Sequence, residues 1–336
     1  MKKIIFSICF VALAAGCSKT EVNYGEADQI AFAPVAQMST KAALKDASFG
    51  TKQDLYVFAN AGLDSNDENT TVDLVECTEA YLRNAKFSRT DVTKPYTGAY
   101  YWPNVKSLAF AGYVDAGDAK TKTTISDDLK TMTVTGYIQP DSGNNDLMYF
   151  FTEGTHSKAS ASTTPVAPVM KHACSWLVFN FYGTTQTAGW KIHELKVINI
   201  AKTGTATITA NSVVWDEDLI DTDKDYQVYS YNETGTTLST SAASFTSDDN
   251  IIVIPQLPTE LYVKYSYISQ ANTQIFEEIK VPLTISENSK WAAGYKYTYD
   301  VTVTATAIEI KPSANTWTPY DYDGSTDGTQ NIPGTI

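Results

Sequence analysis

The sequence predicts an all-β protein of two antiparallel β-sandwich domains in tandem, and three observations carry that prediction. The first is the stretch WAAGYKYTYDVTVTATAIEIKPSANTW, Trp291 to Trp317. Here Tyr295, Tyr297, Tyr299, Val301, Val303, Ala305 and Ala307 alternate with Lys296, Thr298, Asp300, Thr302, Thr304 and Thr306, the period of a strand with one face on a core and one in water. The phase flips at Ala307 to Ile308, which calls for a bulge or a tight turn. The second is composition: 12% aromatic residues with 21 Tyr, only 19% charged, and many Ser and Thr, as in secreted β proteins. The third is a long series of short apolar runs bounded by turn residues, with no long amphipathic helix pattern. A chain of 336 residues exceeds one small sandwich and suffices for two domains with a sizeable core.

Taken in order, the chain begins with Lys2 and Lys3, then the apolar Ile4 to Leu13, too short to span a bilayer, then Leu13-Ala14-Ala15-Gly16-Cys17. LAAGC resembles the lipobox of bacterial lipoproteins, so residues 1–16 are expected to be a signal peptide and Cys17 the lipidation site, palmitate among its acyl chains. The alternative is an ordinary secretory signal that contains a Cys. Three acyl chains would hold the mature protein on a membrane, where one is marginal. Without Lys2 and Lys3 the basic count falls from 25 to 23 against 38 acidic residues, moving the net charge from -13 to -15. That balance argues against nucleic acid or an anionic membrane surface as partner.

Of the four Cys, Cys9 leaves with the signal and Cys17 carries lipid. Cys77 and Cys174 remain, able to pair in an oxidising compartment or to sit as two separate buried thiols. Their places in different halves favour the second. Neither has zinc-ligand spacing to a His.

Ser18 to Asp28 reads as a polar tether, Ile30 to Ala33 as a first strand, and Pro34 to Asp46 as an exposed loop around Ser39-Thr40-Lys41. Leu55 to Ala59 is a continuous apolar run, expected to be buried on both faces. Asp64, Asn66 and Glu68, and later Asp221, Asp223 and Asp225, have the alternate spacing of a calcium loop. Both lack its sixth-place Gly and twelfth-place Glu, so solvated acidic turns and no metal are expected. In Pro95 to Pro103 the aromatics Tyr100, Tyr101 and Trp102 form either a platform for stacking a sugar or a plug for the end of a sandwich. Ser107 to Val114, Met132 to Ile138 and Leu147 to Phe151 continue the strands.

Glu153 to Pro168, small, polar and closed by two prolines, is the sharpest break in composition. It is expected to link an N-terminal domain, 17–152, to a C-terminal one, 169–336. The second series of strands runs through Val169 to Tyr182, Trp190 to Ile200, Thr205 to Ile208, Tyr226 to Tyr231, Ile251 to Ile254, Leu261 to Ile268 and Ile275 to Val281.

Nothing points to an enzyme or a cofactor. There are three His; His156 lies in the expected linker, His172 and His193 on strand faces, and no GxSxG, P-loop, HExxH or CxxC occurs.

Four features in their order resemble the fimbrillin family of Bacteroidales surface lipoproteins, the subunits of type V pili. They are the lipobox at Cys17, GAYYWP at Gly98 to Pro103, the His172-containing KHACSWLVFNF, and WAAGYKYTYDVTV with Trp317 closing the region. The resemblance implies transthyretin-like sandwiches and a structural subunit or anchor of an adhesive pilus on the outer membrane. It implies other pilus subunits as partners, joined by strand exchange after a protease cuts behind a basic residue. The two Arg, Arg83 and Arg89, lie too far along the chain, so Lys41, with Ala42 as the new N-terminus, is the candidate cleavage site; if uncut, the chain stays anchored. The donor strand is expected from the region beyond Ala307. A surface glycan-binding lipoprotein is the alternative function, for which Tyr100, Tyr101 and Trp102 would have to be exposed.

Overall fold

A computed structural model describes residues 29–33, 54–63, 77–90, 94–103, 106–114, 122–139, 146–157, 165–216, 224–240, 245–246, 251–286 and 289–316. Its elements are all strands: β1 Gln29–Phe32, β2 Leu55–Leu63, β3 Glu79–Phe87, β4 Tyr96–Tyr101, β5 Lys106–Val114, β6 Thr123–Ile125, β7 Met132–Ile138, β8 Met148–Phe151, β9 Lys171–His172, β10 Ser175–Gly183 and β11 Lys191–Ile200. There follow β12 Thr203–Ile208, β13 Val213–Trp215, β14 Lys224–Tyr229, β15 Thr236–Thr237, β16 Phe245–Thr246, β17 Ile251–Val253, β18 Glu260–Ile268, β19 Gln274–Pro282, β20 Tyr295–Val303 and β21 Ile308–Thr316.

The strands form sheets in the orders β3-β2-β5-β8-β9, β13-β12-β7-β6, β16-β10-β20-β21 and β14-β11-β18-β19, beside the pair β1-β4. The ladders are antiparallel but for β10 with β20, which run parallel from Trp176 and Lys296 to Gly183 and Val303. A parallel pair needs a long crossover, and residues 184–294 supply it by building the facing sheet. This accounts for the unbroken apolar run in β10, which is covered on both faces. Leu177, Phe179 and Phe181 enter one core with Leu195, Val263, Trp291 and Tyr299. Trp176 and Val178 enter another with Tyr113, Val134, Tyr137, Ile208 and Trp215.

The long alternating stretch is a hairpin. β20 and β21 pair from Tyr295 with Thr316 to Val303 with Ile308. Thr304 closes the turn, its N–H and hydroxyl each donating to Ala307 O at 2.8 Å. The flip of phase is thus a tight turn, and Ala305 and Ala307 lie exposed in it.

Strands from the two sides of 153–168 share sheets and a core. β7 pairs with β12 and β8 with β9, and Gln139 Nε2 donates to Ile252 O at 2.6 Å. The described ends of that segment are bonded to the first half: His156 exchanges main-chain bonds of 2.7 and 2.8 Å with Leu108, and Val166 bonds to Ala31 and Ala33.

Candidate functional site

The site begins with β1, whose alternation of half-buried and buried residues places Ile30 and Phe32 wholly inside. On one side β1 pairs with β4, Gln29 opposite Tyr101 and Phe32 opposite Tyr96. On its other side Ala33 N–H donates to Val166 O at 2.8 Å and Val166 N–H to Ala31 O at 2.9 Å. The Phe32 ring meets Phe87 and Phe110 edge-on at 5.0 and 5.2 Å and Phe150 at 6.2 Å. Each of the two apolar side chains gains roughly 1.5–3 kcal/mol from burial. Four residues thus fill a slot between β4 and Val166, floored by phenylalanines and walled by main-chain partners. Such a slot offers an extended strand ladder bonds on both edges and alternate pockets for its side chains.

Next to the slot, β4 runs along β3, the edge strand of its sheet. The two bond at Ser88 and Thr97 and then part, leaving a hollow of about 400 Å³ lined by Tyr81, Ala99, Tyr100, Tyr101, Trp102 and Pro103. Gly98 sets its shape, because a Cβ there would lie 2.8 Å from Lys86 O and 2.9 Å from the Tyr100 ring. The Tyr100 ring leans on Phe87 at 5.0 Å, and the Tyr81 hydroxyl donates to Tyr101 O at 2.6 Å. Trp102 is 2% exposed and edge-on to Phe110 at 5.9 Å, so its ring is a plug of the first core. Tyr100 and Tyr101 keep a half-exposed surface. The Trp102 indole N–H has no partner among the described residues, a deficit of roughly 1–3 kcal/mol.

Cys17, Lys41 and Ala42 lie outside the described residues, as do the acidic turn at 64–76, Asp221, Asp223 and Trp317. Cys77 and Cys174 are buried thiols not joined in a disulfide. His172 Nδ1 lies 2.7 Å from Asp146 Oδ2, both side chains fully buried, which ties the entry of β8 to β9; Asp146 gave no signal in the sequence because it stands in a polar turn. His193 is buried in a bulge of β11, its ring nitrogens 2.7 Å from Asn232 O and from Ser266 Oγ. Burial pushes His156 below its ordinary value. Among the described residues no acidic, Cys and His cluster could hold a metal, and no helix is long and apolar enough to cross a membrane.

The profile of a family described as fimbrillin-like matches residues 40–317. No curated protein sequence matches the chain. Among solved structures, a fimbrial protein of Bacteroides vulgatus is similar at a TM-score of 0.56 and 15% identity, over 87% of this chain and 100% of that one. The tip fimbrial protein Mfa3 of Porphyromonas gingivalis, truncated at its C-terminus, aligns at 0.46 and 9% over 86% and 100%. At 15% identity the first likeness speaks to the fold.

Proposed function

The chain belongs to the fimbrillin-like family, and from that premise we propose that it is a structural subunit or anchor of a cell-surface adhesive pilus, assembled by β-strand donation. The observation that carries this reading is β1, which fills a slot with two buried side chains and main-chain bonds on both edges. A cut between Lys41 and Ala42 would free the segment that carries β1 together with any lipid on Cys17. The emptied slot would then take an extended strand from a neighbouring subunit. β21 has the matching alternation: Ile308, Ile310, Pro312 and Ala314 turn inward while Glu309, Lys311 and Ser313 are exposed. Its far edge has no strand beside it among the described elements. A chain left uncut would stay on the outer membrane as an anchor. No catalytic step and no cofactor enter this reading, since every polar group it uses is a main-chain group.

N-terminal sequencing of polymers sheared from the surface tests the maturation. A start at Ala42 agrees with it, and an acylated Cys17 in every polymer subunit excludes it. For the anchor, replacing Cys17 with Ala should move the protein out of the membrane fraction, and continued sedimentation with membranes would overturn the lipid assignment.

A further inference from the structure

We propose that the hollow between β3 and β4 is a binding site for one neutral sugar unit of a glycan. Its volume of about 400 Å³ falls at the small end of ligand sites, roughly 300–1,000 Å³, room enough for a single ring with part of a neighbour. The lining is amphipathic in the way a pyranose is. The rings of Tyr81, Tyr100, Tyr101 and Pro103 line it with apolar surface on which a sugar's C–H side can stack, and the tyrosines carry hydroxyls, that of Tyr81 donating to Tyr101 O.

The charges around the hollow narrow the ligand. Trp102, 2% exposed and with its indole N–H out of reach of a ligand, only closes the hollow on the core side. Among the described residues no carboxylate, ammonium or guanidinium is part of the lining, and the chain carries a net charge of -13. An anionic sugar would therefore find no counter-charge at the site and a repulsive field around it. The hollow is also held in shape without a ligand: Tyr81 is hydrogen-bonded to the Tyr101 carbonyl, Tyr100 rests on Phe87, and Gly98 admits both Lys86 O and the Tyr100 ring. Little ordering cost remains to be met on binding.

The site belongs to the single chain and does not depend on strand donation, so it is tested on the purified, unpolymerised protein. Saturation-transfer NMR with the methyl glycosides of galactose, glucose, mannose and N-acetylglucosamine, with sialic acid alongside, reads it directly. At least one neutral glycoside is expected to bind saturably in the millimolar range, with sialic acid silent. Tyr81→Ala should weaken that binding about tenfold, the loss expected from one aromatic contact. Ala99→Trp, an exposed position whose new ring would fill the hollow, should abolish it. Trp190→Ala, in the separate stack with Tyr265 and Tyr267, should leave it unchanged. Absence of saturable binding by every neutral glycoside, equal binding of sialic acid, or binding that survives Ala99→Trp would each overturn the proposal. Protection of Tyr81 from chemical modification in polymers, with no sugar binding to the monomer, would assign the hollow to a neighbouring chain instead.

Discussion

Replacing Phe32 with Ala removes the side chain that seats β1. Phe32 is 0% exposed and touches Phe87, Phe110 and Phe150, so the loss is that of a fully buried ring with little room to collapse, roughly 3–5 kcal/mol. The phenylalanines that remain cannot close the space, because each belongs to a different strand, β3, β5 or β8. At about 2–4 °C per kcal/mol for a chain of this size, the first core should melt some 6–20 °C earlier. Because β1 is short and, among the described residues, bonds to β4 and Val166, the damage should be local before it is global. Hydrogen exchange is the finer assay. The amides of Ala33 and Val166, which bond across the slot, should lose protection in Phe32→Ala while those of β20 keep it. A cost below about 1 kcal/mol, or unchanged exchange at Ala33 and Val166, would refute the view that β1 is held by its buried side chains.

Three more outcomes are expected. Gly98→Ala should cost about 1–3 kcal/mol by thermal unfolding, since the new Cβ meets a main-chain carbonyl at 2.8 Å, whereas Gly154→Ala, with nothing within 4 Å, should stay within about 0.5 kcal/mol. Burial raises the phenols of Tyr96, Tyr149, Tyr297 and Tyr299 above their ordinary value. A group whose folded value is raised stabilises below its unfolded pKa of about 10 and loses that contribution as the pH climbs past it. Tyrosinate absorbance should therefore rise in two steps, the second coinciding with alkaline unfolding, and a single step in the native state would contradict the burial. Limited proteolysis, finally, should cut first within Glu153 to Pro168, as the composition proposes. The two fragments should co-elute under native conditions because β7–β12, β8–β9 and a common core join them; fragments that part freely, or first cuts elsewhere, would contradict this.

Strands with a regularly alternating face were legible from sequence: β20 buries Tyr297, Tyr299, Val301 and Val303 as its pattern predicts, and β7 runs from Met132 to Ile138 and β18 ends at Ile268 as expected, although the buried period of each breaks once. β3 was not. Its buried residues are Leu82, Ala85 and Phe87, spaced by three and then two, because Asn84 sits at φ 52° and bulges the strand between Val57 and Ala59 of its partner. A left-handed Asn inside a polar edge strand erases the period that reading depends on. The aromatics of β4 were legible as a cluster, yet their split into a plugging Trp102 and surface tyrosines depends on the parting of β3 from β4, a tertiary fact. The parallel pairing of β10 with β20 was hidden for a similar reason, since a strand covered on both faces shows no alternation from which a partner could be inferred.

If the seat of β1 is the acceptor site for a neighbouring subunit, a competing strand should block assembly. Chain beginning at Ala42 is incubated under polymerising conditions with a synthetic peptide spanning β1, and the ladder is read on a mildly denaturing gel. The peptide is expected to occupy the slot and collapse the ladder to monomer, while the same peptide with Phe32→Asp leaves it intact, a charge being unable to enter among Phe87, Phe110 and Phe150. A ladder that persists at saturating wild-type peptide, with the peptide bound, would place subunit joining somewhere other than this slot.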